Sequence, residues 1–143
     1  MTNNNFEKSE QTNITKQLSA FVSEIMGEQV VSSSYENQHA ERYEIHTRNM
    51  VLHFFPSLSD FRTAEVRIAC GEDKPYTNPK LETLYTMHVP INNHIWTMHA
   101  VGHGILLNEG NILDCSHHSK KELANMFRDI RLFYELRNKY GIQ

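Results

Sequence analysis

Residues 84–100, LYTMHVPINNHIWTMHA, carry one short pattern on both sides of a turn: Leu84-Tyr85-Thr86-Met87-His88 returns as Ile95-Trp96-Thr97-Met98-His99. Pro90-Ile91-Asn92-Asn93 lies between the copies. Asparagine tolerates positive φ better than most residues, so Asn92-Asn93 suits the two-residue type I′ turn that closes a β-hairpin. That turn sets the register. Met87 falls opposite Met98, His88 opposite Thr97, Thr86 opposite His99 and Val89 opposite Trp96. Side chains alternate along a strand, so one face holds Tyr85, Met87, Val89, Trp96, Met98 and Ala100, which is core material. The other face holds a polar square of Thr86, His88, Thr97 and His99, and His103 extends that face along the second strand.

The rest of the chain is built around this hairpin. Residues 1–12 are polar and read as a disordered lead-in. A single domain then runs from 13 to 143. Asn13 can cap a helix whose stripe is Ile14, Leu18, Phe21, Val22 and Ile25, with Gly27 as its stop. Period-two patterning follows, giving strands over 29–33, 42–55, 62–70, 81–89 and 94–107. Asn108-Glu109-Gly110 reads as a hairpin turn that returns 111–115 as a short last strand. Ser119-Lys120-Lys121-Glu122 matches the capping box, in which the Ser hydroxyl and Glu carboxylate satisfy each other's free backbone N–H groups. The helix it opens carries Leu123, Met126, Phe127, Ile130, Phe133, Tyr134 and Tyr140, and ends at Gly141. The expected fold is α+β: an N-terminal helix, a mainly antiparallel sheet of five or six strands, and a C-terminal helix. Packing both helices on one sheet face is the simplest way to bury both stripes.

Composition narrows the functional classes. A formal charge of -3 supplies no basic field for a phosphate backbone, so nucleic acid is not the expected partner. The basic residues of the last helix are offset by Glu122, Asp129 and Glu135. No apolar run approaches the roughly 18 residues of a membrane span. The polar N-terminus has no signal-like apolar stretch. Two cysteines, Cys70 and Cys115, do not make a disulfide framework, and a cytoplasmic location is expected.

The nine histidines invite a chemical reading. His99 and His103 have i, i+4 spacing, but in a strand they stand about 13 Å apart, too far for one ion. A tetrahedral site needs four converging groups, and Cys115, His117 and His118 gain a fourth only if Cys70 meets Cys115 in the sheet; that zinc reading is the alternative, and the favoured expectation is no metal and no cofactor. The Thr-x-His units run in the reverse order to the His-x-Thr or His-x-Ser pairs of two-histidine phosphoesterases, and no catalytic residue is assigned. Glycine-rich phosphate loops and nucleophile elbows are absent from the sequence. The favoured expectation is a small non-enzymatic protein that binds another protein through a sheet face or edge, as a specific inhibitor, immunity factor or adaptor does. Its binding patch would comprise Thr86, His88, Thr97, His99 and His103. A free edge can also pair with itself, giving a homodimer. The alternative is a small hydrolase, phosphoesterase or ligand-binding domain that uses the paired histidines.

Overall fold

The structure, a computed structural model, describes residues 3–37, 40–61, 82–104, 106–108 and 110–141. Helix α1 spans Asn3–Ala20 and runs on into a π-helical turn at Phe21–Ile25. Six strands follow: β1 Val30–Glu36, β2 Arg42–Thr47, β3 Met50–Phe55, β4 Glu82–Ile91, β5 His94–Gly102 and β6 Leu113–Asp114. Helix α2 spans Lys120–Tyr140. The sheet order is β1-β2-β3-β5-β4-β6, antiparallel throughout except for the β4–β6 pair. This is the expected α+β architecture.

Both helices lie on the same sheet face. Leu18, Phe21, Val22 and Met26 from the first, with Leu123 and Phe127 from the second, share one core with Ile45, Phe54, Met87, Trp96 and Met98. Phe21 is the hub, meeting Phe54 and Phe127 edge-on at 6.3 and 6.0 Å. The capping box at Ser119 forms in both directions, and Gly141 closes α2 at φ 65°. Among the described residues, no helix is long and apolar enough to cross a membrane.

The hairpin has the predicted turn and register. Asn92 and Asn93 stand at φ 50° and 67°, and all four predicted pairs are present. The 62–70 strand and Cys70 fall outside the described residues.

Five expectations are corrected. The helix α1 begins at Asn3, so most of the predicted disordered lead-in at 1–12 is helical; no glycine or proline between Thr2 and Met26 interrupts it. The single strand over 42–55 is two, folded back at Arg48-Asn49. The Thr47 hydroxyl accepts from the N–H groups of Asn49 and Met50 at 3.3 and 3.1 Å, which makes a turn with neither glycine nor positive φ. The strand expected over 94–107 ends at Gly102, and 113–114 joins β4 in parallel rather than returning in a hairpin. Finally, Phe133 and Tyr140 do not join the α2 stripe: they are exposed, together with Leu132 and Leu136.

Candidate functional site

The face opposite the helices is a polar layer arranged in cross-sheet rows. Strand register sets Ser34, Glu44, His53, His99 and Thr86 side by side, one from each of β1, β2, β3, β5 and β4. The next row brings Phe55, Thr97, His88 and Asp114 into line by the pairings of β3, β5, β4 and β6. Three of the predicted square, Thr86, Thr97 and His99, are thus neighbours as expected. They are also buried. Phe61 packs against His99 at 5.5 Å and belongs to a second small apolar cluster with Ala40, Phe55 and Ile112.

His99 is held at both ring nitrogens. The Thr86 hydroxyl bonds Nδ1 at 2.9 Å, and the Thr83 hydroxyl lies 3.5 Å from Nε2. Its ring stacks on His53, with centroids 5.9 Å apart and planes 30° from parallel. Removal from water disfavours the charged imidazole, so burial pulls His99 down to about 4. Burial, reinforced by His99, Arg42 and His46 nearby, also holds His53 well below the ordinary histidine value. Both rings are therefore neutral at physiological pH.

Beside them Glu44 collects donors. The Ser34 hydroxyl donates to it at 3.1 Å, His46 Nε2 lies 3.3 Å away, and Arg42 Nε pairs with it at 3.4 Å. Arg42 and Glu44 are both buried. A buried charge is tolerated only when paired and hydrogen-bonded. The Thr97 hydroxyl makes no hydrogen bond among the described residues.

The other predicted residues stand apart. His88 is half-buried, and its carbonyl accepts from Cys115 N–H at 2.8 Å. His103 lies past the end of β5, is exposed, and lines a cleft with Arg131 and Tyr134 of α2 instead of joining His99. Cys115 is a buried free thiol whose pKa is raised by burial. Among the described residues no group of three metal-binding side chains converges. Sequence reasoning missed Arg42, Glu44 and His53. With 42–55 taken as one strand, His46 and His53 alternate faces; the Thr47 turn folds both onto one face, and only the S/T-turn preference of Thr47 signalled it.

The sheet edges differ as much as its faces. Along β4, Leu107 N–H donates to the Leu84 carbonyl at 2.7 Å. The Asn108 side chain then imitates a strand, donating to the Thr86 carbonyl at 2.6 Å and accepting from Thr86 N–H at 3.2 Å. β6 takes over beside Met87 and His88. Among the described residues no further strand lies beyond β1, and residues 31–34 are exposed. No family model matches this chain, and neither does any curated protein or solved structure.

Proposed function

We propose that this chain is a small non-enzymatic binding protein, of the inhibitor, immunity-factor or adaptor kind, that takes up an extended segment of another protein as a seventh strand along β1. The observation that carries the reading is the contrast between edges. The β4 edge is covered from Leu84 to His88, whereas among the described residues nothing pairs with the outer edge of β1. An open edge is a template for a further strand, and strand addition is a recurrent mode of peptide recognition. Helix α1 overhangs this lane: Lys8, Gln11, Thr12, Thr15 and Lys16, with Ser33, Ser34 and Tyr35, line a groove of about 350 Å³. Two lysines above the lane favour an acidic segment. A cytoplasmic location is part of this reading, since the free Cys115 thiol suits a reducing compartment.

Self-pairing of β1 into a homodimer is the competing occupant. It would bring Lys8 and Lys16 of two copies over one shared lane, and like charges at close range oppose it. The histidine alternative rests on His88 and His99 of the hairpin face, but His99 stacks on His53 instead. Both rings are enclosed and neutral, whereas general acid–base work at neutral pH wants a reachable group titrating near 7.

A proline scan tests the edge. Acidic peptides selected from an extended library are measured against the wild type and Ser32→Pro, Ser33→Pro and Ser34→Pro. Proline is tolerated where the N–H faces outward from an edge. Such a folded variant is expected to bind at least about tenfold more weakly, the scale of one or two lost hydrogen bonds. Wild-type affinity in every folded proline variant would place binding elsewhere.

A further inference from the structure

A cleft of about 530 Å³ shares no lining residue with the groove beside β1. Its volume falls in the range of small-molecule sites, roughly 300–1,000 Å³. Arg48, Asn49 and Met50 of the β2–β3 turn stand on one side, and Arg131, Tyr134, Glu135 and Asn138 of α2 on the other. Leu84, His103 and the bend at 27–29 complete the lining.

Close backbone approaches build these walls. Gly27, at φ +72°, leaves room for the Arg131 guanidinium to lie against the bend. There Arg131 donates to the Met26 carbonyl at 3.1 Å and pairs with Glu28 at 3.6 Å. A Cβ on Gly102 would stand 2.8 Å from the Asn49 carbonyl oxygen, and one on Gly104 would stand 2.8 Å from Tyr134 Cε1. Each segment is thus drawn in where a side chain is missing.

The charges are distributed unevenly. Arg131 is matched by Glu28. Arg48 is exposed and makes no ion pair among the described residues. Gly102 pairs with Met50 at the end of the β3–β5 ladder, so His103, just beyond it, belongs to the same end as Asn49 and Arg48. Met50, Leu84 and Tyr134 supply apolar surface, and burial pushes the Tyr134 phenol up to about 12. Glu135 would repel a second negative group.

We infer that this cleft binds a small molecule with a single carboxylate or phosphate group, seated by Arg48, Asn49 and His103, and an apolar body against Met50, Leu84 and Tyr134. The site is independent of strand addition at β1. It is tested by amide and imidazole NMR titration of the full chain with phenylacetate and phenyl phosphate, and with benzyl alcohol as a neutral control. Saturable shifts are expected at Asn49, Gly102, His103 and Gly104 with at least one anion. Response to phenylacetate alone identifies a carboxylate ligand, and response to phenyl phosphate alone a phosphate ester. Arg48→Ala, on an exposed turn that leaves the fold intact, should weaken binding at least about tenfold, as loss of a charge-assisted contact does. Absence of saturable shifts with both anions, equal shifts with benzyl alcohol, or unchanged affinity in Arg48→Ala would overturn the inference.

Discussion

His53 and His99 stack in the middle of the polar sheet face, where a proton on either ring would be a buried charge. The folded-state value of His99 is about 4 against 6.5 for the free side chain. In that interval the unfolded chain binds a proton that the folded chain refuses. Stability from this group is therefore full above the unfolded value and is lost as pH falls toward the folded one. A drop of this size corresponds to on the order of 3 kcal/mol, and His53 acts in the same direction. Urea unfolding of wild type and His99→Gln isolates the effect from the carboxylates that titrate in both. The wild type's advantage should shrink by a few kcal/mol between about pH 7 and about pH 4. A constant difference would mean that His99 is not held neutral by burial. At this scale the sequence was half legible. The alternation around Asn92-Asn93 brought Thr86, Thr97 and His99 together, but their burial depends on Phe61 and its neighbours, which pack over the face from outside the hairpin.

The elements were legible wherever local chemistry defines them. Ser119 and Glu122 close the start of α2, and two positive-φ asparagines close the hairpin. The turn at Arg48-Asn49 was hidden because a threonine hydroxyl replaces the usual glycine or proline. The parallel β6 was hidden because its pairing with β4 is made by the fold, not by a neighbouring turn. Periodicity along α2 was also misleading, since an apolar repeat tells which side a residue is on and not how far the partner surface reaches. The core covers Leu123 and Phe127, and beyond it Phe133 is exposed. Phe127→Ala should therefore cost about 3–5 kcal/mol in chemical unfolding, as core phenylalanine truncations do. Phe133→Ala should stay within about 1 kcal/mol, as surface changes do. Equal losses would show that the end of α2 is packed in solution.

Across the whole molecule, the sheet divides its surfaces between different tasks. One face carries both helices and the main core, the other buries a hydrogen-bonded polar row, and one edge is closed by Asn108 and β6. Among the described residues the edge left uncovered is β1, beside α1, and the function is proposed there. That asymmetry was not readable from the chain alone. It depends on strand order, in which β5 is inserted between β3 and β4 and the first strand is left outermost. The most direct test is residue-resolved hydrogen exchange of the full chain, free and with a selected acidic peptide. Alternate amides within 31–36 should exchange quickly in the free protein and become protected on binding, since only every second N–H of an edge strand faces the added one. Protection centred on the Arg48–His103 cleft, or on no strand edge at all, would contradict strand addition at β1.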